Sequence, residues 1–299
     1  MVQIGIDFGG TKIEAAALDA GGQYLSRMRV PNPGDYQAAI DALGGLIERT
    51  EAQVGAAASI GIGTPGSISP RTGVMRNSNS TYLNGRTFRE DIERALGREV
   101  RMANDANCLA LSEAVDGAAA GAAVAFAIII GTGCGGGLVV NGQIVDGANG
   151  VAGEWGHISQ PFPNADEVPG PACWCGQHSC LETWVSGSGF QRDFAARTGH
   201  HLDGPTIMQA MRRGDADAVA TFDAYVDRLG RAMAAVVNIV DPDVFVLGGG
   251  MSNNRELYDR LPAIVQRYAF SDGWEAKIVA AQWGDSSGVR GAARLWPAR

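Results

Sequence analysis

Twice in this chain a β-type run breaks at a glycine turn and returns as a second β-type run, and this repeated hairpin limits the possible folds more than any other feature. The first reads from residues 2–8 through Gly9-Gly10-Thr11-Lys12 into 13–18; the second reads from 123–130 through a glycine-rich turn over 131–137 into 138–140. Apolar runs bounded by glycine in this way are strands joined by tight turns. A repeat on this scale predicts an internally duplicated α/β chain. Glycine in such turns lets backbone amides approach an anion without side-chain obstruction, which makes Gly9, Gly10, Thr11, Lys12, Gly131, Thr132 and Gly133 candidate phosphate contacts. An ordinary hairpin is the structural alternative.

Two nucleotide-binding motifs fail on context. Gly5 to Gly10 has P-loop spacing, but Thr11-Lys12 follows in place of Lys-Ser/Thr, and a returning strand stands where a helix belongs. Gly61-Ile-Gly63-Thr-Pro-Gly66 and Gly131-Thr-Gly133-Cys-Gly-Gly136 match the dinucleotide fingerprint as strings. Neither opens a helix whose N-terminus could take a pyrophosphate.

Residues 153–182 bring Glu154 and His157 ahead of Cys173, Cys175 and Cys180, and end on Glu182. Three thiols and an imidazole form the Cys3His set of closed, structural zinc sites. A disulfide fits worse, because Cys173 and Cys175 are too close in sequence to pair easily and an odd thiol would remain. His178 competes with His157 for the imidazole position, although a ligand within the short spacer between Cys175 and Cys180 would be cramped.

Elsewhere, a helix is expected over 36–54, a strand over 57–62, and a polar loop over 77–85 whose asparagines, Asn79 among them, both donate and accept as sugar hydroxyls require. That loop reads equally well as a solvated connection. A strand from Val100 meets a helix at Asn104-Asp105, where either residue could be an N-cap. Asp105 also lies at a strand's C-terminal end, where active sites of α/β chains gather, and there it could act as a general base. The spacing of apolar residues from Val219 to Val240 predicts one long amphipathic helix. A buried strand over 243–247 runs into Gly248-Gly249-Gly250, where a flat ring can lie against bare backbone.

With 299 residues the chain can form two domains, and a formal charge of −8 offers no basic patch for a nucleic-acid partner. The first residues lack the basic and apolar regions of a signal peptide, and the longest apolar run, 122–130, is too short to span a bilayer. A cytoplasmic setting without membrane contact is therefore expected.

Taken together, Asp7-Phe-Gly-Gly-Thr, Gly131-Thr-Gly133, Glu154-Trp-Gly-His157, Cys173-Trp-Cys175-Gly-Gln-His-Ser-Cys180-Leu-Glu182 and Gly248-Gly-Gly resemble the ROK family of sugar kinases and repressors over essentially the whole chain. The 77–85 loop, the run Ala103-Asn-Asp-Ala-Asn-Cys-Leu-Ala and the tail from Gly284 are most similar to bacterial ROK fructokinases of the manno(fructo)kinase type. The resemblance implies an actin-like ATPase (ribonuclease H-like) fold, duplicated, with an interdomain active-site cleft. Residues 1–115 plus 287–299 would form a smaller domain, and 116–286 a larger one carrying the cysteine loop. It also implies ATP held by the glycine hairpins, with adenosine near Gly248 and Gly249 and Asp7 placing magnesium. Asp105 resembles the catalytic base; Asn104, Glu154, His157 and Glu182 resemble sugar contacts. Zinc, four-coordinate on His157 and the three cysteines, would be structural. The implied activity is ATP-dependent phosphorylation of a hexose, fructose to fructose 6-phosphate first and mannose second, in a homodimer. Alternatives are a glucokinase or N-acetylhexosamine kinase, a sugar sensor without turnover, and a sugar-responsive ROK transcriptional regulator. The regulator would need a helix-turn-helix before the first hairpin. One departure is Ser179, where the family pattern has glycine.

Overall fold

The computed structural model describes residues 2–56 and 58–296. The first part of the chain runs β1 (Gln3–Phe8), β2 (Lys12–Leu18), β3 (Tyr24–Pro31), α1 (Tyr36–Val54), β4 (Ser59–Thr64), β5 (Ser67–Ile68), β6 (Met75–Arg76), α2 (Phe88–Leu96), β7 (Arg101–Asn104) and α3 (Asp105–Asp116). Then come β8 (Val124–Ile130), β9 (Cys134–Val140), β10 (Gln143–Ile144), α4 (Leu181–Val185), α5 (Gly187–Thr198), α6 (Gly204–Arg212), α7 (Ala216–Val240), β11 (Val244–Gly248), α8 (Glu256–Tyr268), β12 (Lys277–Ala280) and α9 (Ser287–Arg294).

Two five-stranded sheets have orders β3-β2-β1-β4-β7 and β10-β9-β8-β11-β12. In each, the opening hairpin lies to one side and parallel strands continue on the other: β1 pairs parallel with β4, and β8 with β11. The repetition expected from the two glycine hairpins is thus a repetition of topology. The chain divides into two compact units, residues 1–121, 137–152 and 282–299 in the first and 122–136 and 153–281 in the second. This division differs from 1–115 plus 287–299 by taking 116–121, 137–152 and 282–286 into the first unit. Gly137 accounts for the start of the 137–152 segment, since a Cβ there would lie 2.4 Å from the Ala106 carbonyl oxygen.

In the first unit, side chains alternate across β1. Ile4, Ile6 and Phe8 pack with Ile40, Leu43 and Ile47 of α1, while Gly5 on the opposite face meets α9. A Cβ at Gly5 would stand 1.9 Å from the Val289 carbonyl oxygen, and one at Gly61 1.8 Å from that of Ala292, so these glycines admit helix backbone directly onto the sheet. The same helix meets α3, where the fully buried Glu113 accepts hydrogen bonds from the backbone N–H groups of Gln282 and Trp283 and from the Ser287 hydroxyl.

The expected strand over 57–62 is β4, starting at Ser59; Ala57 lies outside the described residues. The second glycine turn is shorter than the sequence suggests. It closes over residues 131–133, and Cys134-Gly135-Gly136 already belong to β9. Glycine at 136 serves close packing: a Cβ would fall 2.7 Å from the Trp155 ring and 2.8 Å from the Gly153 carbonyl oxygen.

In the second unit, α7 carries a buried ion network that braces the loop leading to the cysteines. Glu167, 2% exposed, accepts from Arg228 Nε at 2.8 Å and from Arg231 NH2 at 2.7 Å, and Arg231 NH1 also donates to the Phe162 carbonyl at 2.6 Å. Burial works against the Glu167 charge, but Arg231, the Asn164 N–H and Arg228 outweigh it and hold the carboxyl at about 2 rather than the ordinary 4.5. A lowered folded-state value means that this group's contribution is complete above about pH 4.5 and is lost as pH falls toward about 2. Urea unfolding across that acid range should therefore show a shallower loss of stability in Glu167→Gln than in the parent protein.

Candidate active site

The cysteine loop is built on short, well-anchored turns. Trp155 is buried and stands edge-on to Phe126 of β8 at 5.8 Å, which fixes the single 3-10 turn Trp155–His157 with Glu154 as its N-cap. Downstream, Ser159 and Cys180 form an isolated bridge, and Leu181 donates its N–H to the Ile158 carbonyl at 2.9 Å. His157 and Cys180 thus come together although 23 residues separate them. The ligand atoms of His157, Cys173, Cys175 and Cys180 all lie within 4.8 Å of one another. His157 Nδ1 is 3.6 Å from Cys173 Sγ, and Cys175 Sγ is 3.5 Å from Cys180 Sγ. A tetrahedral zinc with bonds of about 2.0–2.3 Å separates its ligands by roughly 3.3–3.8 Å, so the donor set and its spacing fit that ion. His178 is exposed and outside the cluster; its backbone bridges Ala172. Ser179 has φ +59°, the left-handed region where the family pattern has glycine. Its N–H donates to the Pro171 carbonyl, and its Oγ accepts from Trp184 Nε1 at 3.0 Å, giving the serine a bond that glycine could not make.

Glu182 stands in the first turn of α4, and both its oxygens are engaged. Oε1 accepts from Trp174 Nε1 at 2.7 Å, and Oε2 from the Cys134 N–H at 3.1 Å. A carboxylate has about four acceptor positions, so two remain for other donors. The Cys134 bond ties the end of the cysteine loop to the 131–133 turn, where a Cβ on Gly133 would meet Glu182 Oε2 at 2.6 Å. The same turn is held from two further sides. Gly187, at the start of α5, donates to the Gly131 carbonyl at 2.7 Å, and Gly249, with φ +81°, packs so closely that a Cβ would lie 2.8 Å from the Ile130 carbonyl. Gly131, Thr132, Gly133 and Gly249 therefore share a backbone-lined cradle next to a helix N-terminus, and Gly248 ends β11 beside it. Backbone of this kind suits an anionic or flat ligand. Sequence reading missed Gly187; the Ser186-Gly187 pair, with Ser186 Oγ capping Gly189 N–H at 2.9 Å, was the available signal.

In the first unit, Asn104 is the cap of α3, accepting from the Asn107 N–H at 2.7 Å. Asp105 is then the first helical residue and exposed; its Oδ1 accepts from the Ala106 N–H at 2.8 Å. The cap thus falls to Asn104. Gly9 N–H donates to the Lys12 carbonyl at 3.0 Å, closing the first hairpin with Gly10, Thr11 and Lys12 exposed at its tip. Asn32 steadies this tip through Gly9, and Tyr82 of the polar loop donates its hydroxyl proton to Asn32. Asn79 is exposed on that loop, next to Ser80, whose Oγ would be 3.6 Å from a Cβ at Gly10. Asp7 pairs across the hairpin with Glu14, which is held by Arg27 and Arg29. Burial first, and the Glu14 charge second, push the Asp7 carboxyl above its ordinary range, against the pull of Lys12 and Arg29. A desolvated carboxylate facing another acid is a place where a divalent cation would be stabilising.

Residues 3–299 match the ROK family. The chain belongs to the ROK family. It is 39% identical over 296 residues to an N-acetyl-D-glucosamine kinase of Pectobacterium atrosepticum, a match covering 97% of each chain. A ROK hexokinase of Thermus thermophilus superposes with a TM-score of 0.87 at 34% identity, covering 98% of this chain and 97% of that one. A ROK family glucokinase of Streptomyces griseus, solved with glucose and AMPPNP, gives 0.79 at 30% identity over 99% of each chain. The fold of this ROK chain is the actin-like ATPase fold. Among the described residues no helix is long and apolar enough to cross a membrane.

Proposed function

We propose that this protein is an ATP-dependent sugar kinase whose acceptor is an N-acetylhexosamine, N-acetylglucosamine first, rather than fructose. The observation that carries the reading is identity at 39% over nearly the whole length to an N-acetyl-D-glucosamine kinase, together with the exposed Asp105 carboxylate at the start of α3. A sugar hydroxyl is a poor nucleophile at neutral pH. Asp105 takes its proton as the oxygen bonds to the γ-phosphorus of ATP and ADP departs, a contribution of typically 10²- to 10⁴-fold. Alignment and neutralisation of phosphate charge supply much of the remainder. The hairpin tip at 9–12 and the cradle around 131–133 hold phosphate, Gly248 and Gly249 the adenosine, and Asp7 helps place magnesium. Asn104, Glu154, His157 and Glu182 hold the sugar, with Asn79 as a further contact from the polar loop. Zinc on His157, Cys173, Cys175 and Cys180 would be structural, its four protein ligands leaving no position for substrate. Nδ1 of His157 faces the thiols, leaving the second ring nitrogen for a sugar hydroxyl.

A coupled ATP-turnover assay over N-acetylglucosamine, N-acetylgalactosamine, N-acetylmannosamine, glucose, mannose and fructose tests the reading. The highest kcat/KM is expected for N-acetylglucosamine. A higher value for fructose or mannose would reverse the assignment.

A further inference from the structure

Trp174 lies between two metal-ligand cysteines and is 66% exposed, an unusual setting for the largest apolar side chain. Its polar atom is nevertheless engaged, with Nε1 2.7 Å from Glu182 Oε1. Tryptophan ordinarily buries its ring and leaves its N–H to find whatever partner is near. Here the N–H is committed and the ring is open. The ring also stands edge-on to His157, centroid to centroid 4.9 Å at 88°. One side chain therefore touches two residues assigned to the sugar, Glu182 through a charge-assisted hydrogen bond and His157 through its ring.

We infer that Trp174 is a positioning and specificity-determining residue for the sugar, an inference that rests on the placing of Glu182 and His157 as sugar contacts. Glu182 has two anchors, and they differ in kind. The Cys134 N–H is backbone and fixes Oε2 to the phosphate turn; the Trp174 N–H is side chain and fixes the direction of Oε1. Without the indole donor the carboxylate can rotate about its bond to Cys134, and its remaining acceptor positions no longer meet a hydroxyl at a fixed angle. The open indole face adds an apolar wall beside these polar groups. Such a wall suits the C–H face of a pyranose ring or the methyl of an acetamido group.

The two roles separate by substitution. Trp174→Phe keeps a ring but removes the donor; Trp174→Ala removes both. Trp174→Phe should raise sugar KM roughly 5- to 20-fold, the range for losing one hydrogen bond to a charged group that is partly exposed, while ATP KM and kcat stay within about twofold. Zinc content should be unchanged, since no ligand is altered. Trp174→Ala should raise KM further and narrow the ratio of kcat/KM between N-acetylglucosamine and glucose. Glu182→Gln provides the control. If it raises sugar KM while both Trp174 variants leave KM and the sugar ratio as in the parent, the inference about Trp174 fails and the sugar site stands. If all three leave sugar KM unchanged, Glu182 is no sugar contact, and the reading beneath the inference fails with it. A Trp174→Phe/Glu182→Gln double variant should cost no more than Glu182→Gln alone; additive costs would also overturn the inference.

Discussion

Asp105→Asn should lower kcat by roughly 10²-fold or more, with sugar KM and the unfolding midpoint little changed. The structure makes this a clean substitution. Capping of α3 is done by Asn104, the Asp105 side chain is exposed, and an asparagine oxygen can still accept from the Ala106 N–H. What asparagine cannot do is take a proton. Steady-state kinetics with the best sugar, alongside denaturant unfolding of both proteins, separates a chemical defect from a structural one. Turnover near that of the parent protein would remove Asp105 from the reaction.

The second large effect concerns the cysteine loop. The purified protein should hold about one zinc per chain, and Cys180→Ala should lose the metal and weaken sugar binding roughly 10-fold or more. Cys180 is buried and caps the helix that presents Glu182, while His157 contributes a nitrogen to the cluster. Loss of metal should thus disturb the same carboxylate that Glu182→Gln alters directly. In calorimetric titrations the costs of Cys180→Ala and Glu182→Gln should fail to add, the second substitution costing much less in the double variant than alone. Independent sites would give additivity within about 0.5 kcal/mol. Additive costs in folded proteins would make the metal a remote staple, and full activity in a metal-free preparation would end the structural argument for zinc.

Local patterns carried far into this fold. The apolar spacing and the Asp35 side chain that caps Ala38 bound α1 at the residues expected, and Asn104 marks the start of α3 because a short polar side chain satisfies an otherwise unbonded N–H. The Cys3His cluster was legible because three thiols within eight residues limit the ways a loop can close. What sequence could not show are contacts between distant residues. Nothing near Cys134 predicts that its N–H meets a carboxylate 48 residues later, or that Gly187 lies against Gly131. Glycines at 135–137 looked like turn residues because glycine serves both turns and close packing, and only the partners distinguish the two uses. Nor do the residue types proposed to hold the sugar separate fructose from N-acetylglucosamine, since acids and amides pair with the hydroxyls of either.

The glycine faces beneath α9 also bear on the order in which the protein can be made. Gly5 and Gly61 sit on strands synthesised early, yet their exposed backbone is covered by a helix at residues 287–294, and Glu113 finds three of its donors only at 282–287. Until those residues leave the ribosome, Gly5 and Gly61 lack the helix that covers them, and Glu113, fully buried in the folded chain, lacks the donors at 282–287 and keeps the Ala118 N–H. The second unit, residues 122–136 and 153–281, includes no part of that last helix. Synthesis from the N-terminus thus completes the first-translated unit last, and leaves the strand backbone at Gly5 and Gly61 without its α9 cover while the chain is growing.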